Sequence, residues 1–283
     1  MLNKNLKFVF FGTPDVSSET LDILKKNGYI PSLIITSTDK PQGRKMLLTP
    51  PPVKTWAIEN NIQYLQPEKI DTEKIWDIFK TQNIPDLFIV VAYGKILPEK
   101  LLNLPKLGSI NIHYSLLPKY RGASPVESAI LNGDTETGIT IQKMEFKMDS
   151  GPIIAKETIE ILPDEKAIDL RKKLIKIGGE LLIKILPDII ENKIQLNSQD
   201  EAQATYCKKI KKEDGLIDLN DDSIKNYNKF RAYSSWPRTF FFKNNKRIII
   251  TDALLENEEF KILKILPEGK KEIDYKNFIS SNL

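Results

Sequence analysis

One cysteine, Cys207, and one histidine, His113, in 283 residues remove whole classes of chemistry before any motif is read. Structural zinc takes four Cys/His ligands and catalytic zinc usually three protein ligands, so zinc fingers, HExxH proteases and disulfide frameworks are excluded. Long apolar runs are missing too: no stretch approaches the ~20 residues that a membrane-spanning helix needs. The apolar run near the N-terminus is only Phe8 to Phe11, closed by a turn, which reads as a first core strand rather than a signal peptide. A soluble, cytoplasmic protein without a membrane partner is expected. The nucleophile elbow GxSxG is absent, and Gly133 to Gly138 has P-loop glycine spacing but carries Ile139 where the lysine must stand. The first turn offers only Gly12 and lacks GxGxxG, which argues against a nicotinamide-dependent oxidoreductase.

What is present is an ordinary globular balance, 41% hydrophobic and 28% charged, long enough for two domains. The net charge of +4 falls wholly after Cys207, where residues 208–283 hold 16 Lys/Arg and 12 Asp/Glu. Within that part, residues 208–247 carry 11 basic against 5 acidic side chains, an asymmetry that points to an acidic partner such as nucleic acid.

Short apolar runs alternate with helix-period segments through the first half, the pattern of βαβ units and a parallel sheet. Strands are predicted at Lys7–Phe11, Leu33–Thr36, Leu87–Val91 and Ser109–Ile112, with helices from Asp15 to about Asn27 and at about 54–60 and 72–81. Thr137–Met144 and Pro152–Ile161 alternate like half-exposed antiparallel strands, so a mixed sheet is expected. The longest helical pattern covers 167–191, with a break or kink expected at Pro187. Residues 192–207 are polar with little periodicity and read as a linker. The expected organisation is a Rossmann-like, doubly wound α/β domain over 1–191, the linker over 192–207, and a small β-rich, barrel-like domain over 208–283, its strands near Thr239–Phe242, Arg247–Ile250 and Phe260–Leu263.

The densest cluster of chemically useful residues is Asn111 to Pro125, at the end of a predicted core strand, where α/β sheets bind their ligands. If Ile110 and Ile112 point to one face, the period of two puts Asn111 and His113 together on the other. Asn offers an uncharged amide donor and His a donor or base near neutrality, a pairing suited to an oxyanion. Asp149, in Met148-Asp149-Ser150-Gly151, is a turn former that also qualifies as the carboxylate beside that histidine.

The residues that carry a resemblance run over nearly the whole chain: Phe11-Gly12-Thr13-Pro14, Gly43-Arg44, Pro52-Val53-Lys54, Val91-Ala92-Tyr93-Gly94, Asp149-x-Gly151 and Trp236-Pro237. Most specific is the block Asn111-x-His113-x-Ser115-Leu116-Leu117-Pro118-x-x-Arg121-Gly122. On these motifs the chain resembles the methionyl-tRNA formyltransferases, within the wider group that uses 10-formyltetrahydrofolate. The resemblance implies Asn111, His113 and Asp149 as the catalytic trio, with no metal. It also implies an OB-like fold for the C-terminal domain, and 10-formyltetrahydrofolate held by Ser115, Leu116, Leu117 and Pro118 with Val91, Ala92, Tyr93 and Gly94. Initiator methionyl-tRNA is the implied partner, met by Arg44 and Lys45 near its acceptor end and by Lys208, Lys209, Lys211 and Lys212, with a monomer favoured.

Two departures concern tRNA binding. The loop from Lys40 to Thr49 holds fewer basic residues after Arg44 than the family pattern, and the C-terminal domain reads as shortened. Two alternatives stand beside this reading. The first is a folate-dependent formyltransferase acting on an amino-sugar nucleotide or glycinamide ribonucleotide, because the trio serves any primary amine. The second is a non-catalytic RNA-binding protein, which leaves Asn111, His113 and Asp149 unexplained.

Overall fold

Phe8, Val9, Phe10 and Phe11 are all fully buried, because an apolar run without alternation has to be covered on both faces. They form β1 (Phe8–Gly12) of the computed structural model, which describes residues 6–43, 45–70, 73, 75, 77–79 and 84–280. Gly12 ends the strand where nothing larger fits: a Cβ there would lie 2.6 Å from the Ser17 Cβ at the start of the helix Asp15–Lys26.

β1 pairs in parallel with β2 (Leu33–Ile35) on one side and with β6 (Leu87–Val91) on the other. A short hairpin of β3 (Lys40–Gln42) and β4 (Leu47–Thr49) follows β2, in the stretch read from sequence as a loop. β5 (Tyr64–Leu65) adds to β2 and β7 (Ser109–His113) adds to β6, both in parallel. Short strands β8 (Arg121–Gly122) and β11 (Tyr206–Cys207) stand outside this sheet. With β9 (Glu136–Lys143) and β10 (Ile153–Glu160), the seven strands run in the order β10-β9-β7-β6-β1-β2-β5. The chain moves outward from β1 to β5, then returns to the other side for β6 and β7, so the order reverses between β1 and β6. The crevice beyond the carboxyl ends at such a reversal is where open α/β sheets bind ligands.

The mixed sheet is as expected, with β9 antiparallel to β7, but β9 is not half-exposed. Thr137 to Gln142 are all buried. Ile139 and Ile141 are fully buried, and Ile139 lies close beside Gly178 of the helix Ala167–Ile190. The polar alternates Thr140 and Gln142 lie on the opposite face and are buried because they hydrogen-bond to loops there. The helix itself continues through Pro187 to Ile190 instead of ending at the proline. Of the helix predicted at 72–81, residues 73, 75 and 77–79 are helical and the others lie outside the described residues.

The chain forms two compact units, each assembled from three stretches of sequence. The first comprises Met1–Arg121, Gly138–Thr158 and Leu174–Thr205, and the second Gly122–Thr137, Ile159–Lys173 and Tyr206–Leu283. Side-chain bonds explain why the second unit takes in 159–173: Tyr227 donates to Asp164 at 2.9 Å, and the buried Arg231 donates to the carbonyls of Leu162 and Glu165.

In the second unit β12 (Phe240–Lys243), β13 (Lys246–Glu256), β14 (Glu259–Pro267) and β15 (Ile273–Asp274) form an antiparallel sheet in chain order. Its core gathers Ile248, Ile250 and Ile265 against Tyr227 and Phe230 of the helix Ser223–Ala232. β13 and β14 run longer than their sequence pattern, because a bulge near Asp252 shifts the alternation so that Ile250 and Ala253 are both buried.

Both long hairpins close on two residues with positive φ, Asn244-Asn245 and Asn257-Glu258. Such turns favour Asn then Gly, and Glu258 sits at φ 62 without that freedom. Glu258→Gly should therefore raise stability by about 0.5–1 kcal/mol, read as a higher midpoint in urea unfolding.

Candidate active site

His113 is the last residue of β7 and is 5% exposed. Its ring is held by hydrogen bonding at one nitrogen and faces a carboxylate at the other. Nε2 lies 2.9 Å from the Tyr120 carbonyl, which can only accept, so Nε2 carries a proton. Nδ1 faces Asp149 with 3.7 Å to Oδ1, too long for a hydrogen bond and inside ion-pair range. The Tyr120 carbonyl therefore fixes the ring orientation, and the Asp149 carboxylate lies beside Nδ1.

Asn111 lies two residues earlier on the same face of β7. Its register partners are Val90 on β6 and Gln142 on β9, and that of His113 on β9 is Thr140. Cross-strand partners share a face, so Asn111, His113, Thr140 and Gln142 line one surface at the carboxyl end of the sheet. Gln142 joins Asp149 to it, donating from Nε2 to Oδ1 at 3.0 Å. Asp149 holds a left-handed backbone, φ 51, and Gly151 follows where a Cβ would stand 1.8 Å from the Lys143 carbonyl oxygen. That close approach is why the turn needs glycine two residues after the aspartate.

The segment after β7 is tied down by the same face. Thr140 donates from Oγ1 to the Ser115 carbonyl at 2.7 Å and accepts from the Leu117 amide at 3.0 Å. Ser115 bonds the Lys119 carbonyl at 2.6 Å, and Lys156 donates to the Leu117 carbonyl. Burial lowers the Lys156 ammonium from its ordinary range. Ser115 and Leu117 are fully buried, while Leu116 and Pro118 are half-buried.

Residues 91–94 leave the neighbouring strand at the same edge of the sheet. Val91 and Tyr93 turn inward; the Tyr93 ring packs edge-on against Phe11, and burial pushes its hydroxyl up to about 12. Thr13 donates to the Tyr93 carbonyl and Ser17 to that of Val91, which ties the first turn to this segment. Ala92 and Gly94, exposed with positive φ, are the members of the group whose surface faces outward.

Lys45 is exposed beside the β3–β4 hairpin, with Met46, Leu47 and Leu48 also exposed; Arg44 lies outside the described residues. Lys208, Lys209, Lys211 and Lys212 are all exposed. No group of His, Cys, Asp and Glu able to hold a metal ion occurs among the described residues, and no described helix is long and apolar enough to cross a membrane.

Several polar partners in this site had no sequence signal, among them Gln142, Thr140 and the carbonyl of Tyr120. Arg121 stands in the most specific sequence block without a role assigned to it, and is fully buried. It donates to Gln199 at 2.8 and 3.1 Å and to Glu201 at 2.7 Å. Bonds from Arg121 and Lys147 hold the Glu201 carboxyl down to about 2.

Residues 5–186 match the formyl transferase family and residues 209–261 the formyl transferase C-terminal domain. The methionyl-tRNA formyltransferase of Thermotoga maritima is 42% identical over 243 residues, 86% of this chain and 77% of that one. That of Geobacter sulfurreducens is 38% identical over 268 residues, 95% and 84% of the two. The chain belongs to the methionyl-tRNA formyltransferase family.

Among solved structures the fold is similar to an N-formyltransferase from Helicobacter canadensis in complex with folinic acid and dTDP-3-aminofucose. The TM-score is 0.68 and the identity 21%, over 89% of each chain. The methionyl-tRNA formyltransferase from Clostridium thermocellum superimposes with a TM-score of 0.62 at 16% identity, over 95% of this chain and 99% of that one.

Proposed function

We propose that the site transfers the formyl group of 10-formyltetrahydrofolate to the α-amino group of methionine esterified to initiator tRNA, giving N-formylmethionyl-tRNA for translation initiation. The observation that carries the reading is the face shared by Asn111 and His113 with Asp149 against Nδ1, in a chain of this family. The crevice suits the folate. Two parallel strand ends open there, Ala92 and Gly94 expose backbone that can read a polar ring edge, and Ser115 to Pro118 are already fixed from beneath.

The donor supplies an activated formyl carbon; the chain supplies donors and a base. An α-amino group titrates at about 7.7 to 8.0, so a useful fraction is neutral near pH 7. As it attacks, Asn111 and the protonated Nδ1 of His113 stabilise the charge gathering on the formyl oxygen. At 3.7 Å the Asp149 carboxylate is within ion-pair range of Nδ1 without being hydrogen-bonded to it. Asp149, directly or through water, accepts the proton released by the attacking nitrogen; the tetrahedral intermediate then collapses, the bond between the formyl carbon and N10 breaks, and N10 takes up a proton as tetrahydrofolate leaves. Exposed Lys45, Lys208, Lys209, Lys211 and Lys212, with Arg44, take the tRNA phosphates, and residues 208–283 act as the tRNA-binding domain beyond the catalytic portion 1–191 and the connecting 192–207. The enzyme works as a cytoplasmic monomer without a metal.

Incubation with 10-formyltetrahydrofolate and methionyl initiator tRNA, followed by analysis of the released amino acid, should yield formylmethionine. Formylation of a dTDP-amino sugar with no formylmethionine formed would replace this reading by the sugar-nucleotide one.

A further inference from the structure

We propose that Gln199 is a positioning residue for the reaction, acting through Asp149 and anchored by Arg121; the proposal rests on the reading of Asp149 given above. Gln199 lies in the polar stretch that the sequence marks only as a linker. Its Nε2 donates to the Asp149 carbonyl at 2.9 Å and to the Gly151 carbonyl at 2.7 Å, one on either side of Ser150. Its Oε1 accepts two bonds from the fully buried Arg121, from Nε at 3.1 Å and Nη2 at 2.8 Å. Two carbonyls can only accept and a guanidinium can only donate, so the carboxamide has one possible orientation.

A turn with a non-glycine residue in the left-handed region needs support from outside itself. Gln199 supplies it at the backbone of Asp149, and Gln142 does so at the carboxylate, donating to Oδ1 at 3.0 Å. Both braces are neutral amides. A cation in either place would pair with Asp149 and compete with His113 for it, so the choice of glutamine keeps the carboxylate available for the imidazolium and the departing proton. Glu201 adds a second tie between the same segments, bonded to Arg121 at 2.7 Å and to Lys147, two residues before Asp149, at 2.8 Å.

The stretch that carries Gln199 is itself fastened at both ends. Asn197 exchanges backbone bonds with Ile153 at 2.7 and 2.9 Å. Thr205 accepts from the Tyr120 amide at its Oγ1 and from the Arg121 amide at its carbonyl, both at 2.8 Å. Tyr120 is the residue whose carbonyl holds Nε2 of His113. The segment from 197 to 205 therefore touches the supports of both members of the pair, and their 3.7 Å separation depends on it.

The test is a double-mutant cycle with Gln199→Leu and Asp149→Ala, measured by kcat and KM for both substrates. Gln199→Leu should lower kcat about 10- to 100-fold, with both KM values within about threefold of wild type, because the loss is one of alignment. In the Asp149→Ala background the same change should alter the residual rate by less than about twofold, since the carboxylate it positions is gone although both carbonyls remain. Gln199→Glu carries the test if the leucine variant does not fold. It is isosteric and keeps both bonds from Arg121 but cannot donate to the two carbonyls, so kcat should again fall by at least about tenfold. Turnover within about threefold of wild type in the folded variant overturns the proposal, as does an undiminished loss in the Asp149→Ala background. Wild-type turnover in Asp149→Ala alone would instead remove the reading of Asp149 on which the brace depends.

Discussion

Alanine at His113 is expected to lower turnover by about 100-fold or more while the protein stays folded. Removing one preorganised donor from a developing oxyanion costs roughly 2.7 to 4 kcal/mol. The side chain is buried, but the bond it gives up is a single contact to the Tyr120 carbonyl. Loss of that contact is a stability cost of about 1–3 kcal/mol, small enough for a chain of this size to remain native. Asn111→Ala and Asp149→Ala should fall in the same range, for different reasons. The first removes a neutral donor, so its effect should be flat with pH. The second removes the carboxylate that, in the proposed mechanism, accepts the proton from the attacking nitrogen. Pairs of substitutions should lose less than the product of the single effects, because in the proposed mechanism all three side chains act on one transition state. A folded His113→Ala protein with near wild-type kcat would remove the site from consideration.

Much of this site was legible in the sequence because it depends on short-range rules. The run Phe8–Phe11 has no polar alternate and can only be a doubly covered strand, and Asn111 and His113 are two residues apart on a strand and must share a face. Asp149 needed the family resemblance, since nothing in a turn at 149 brings it beside a histidine at 113. What stayed hidden is polar and long-range. The alternation over Thr137–Met144 reads as a half-exposed strand, which would leave Thr140 and Gln142 facing solvent. Their face is covered, however, by the segments that follow β7 and β9, and burial there is compensated by bonds to Ser115, Leu117 and Asp149. Gln199 and Thr205 sit among Asn, Ser, Gln and Asp with no hydrophobic period. A stretch of that composition reads as a linker whether it is solvated or, as here, bonded along its length to carbonyls and amides far away in sequence.

The largest effect on RNA affinity is expected from Lys208, Lys209, Lys211 and Lys212 changed together to glutamine. All four side chains are exposed, and they stand within the 208–247 stretch that carries 11 basic against 5 acidic residues. Exposed ammonium groups contribute to nucleic-acid binding chiefly by releasing counterions, and each phosphate contact adds about 0.7 to 0.9 to the slope of log affinity against log salt. If all four contact phosphates, the slope of the quadruple variant should be shallower by about 3, and its affinity should fall most at low salt. At saturating tRNA its kcat should stay near wild type, because none of the four belongs to the face that holds His113 and Asp149. Titrations across a salt series, run alongside turnover, separate these effects. An unchanged slope would mean that the region serves something other than the tRNA backbone; a shallower slope together with a collapsed kcat would mean that these lysines also set the approach of the acceptor end to the formyl carbon.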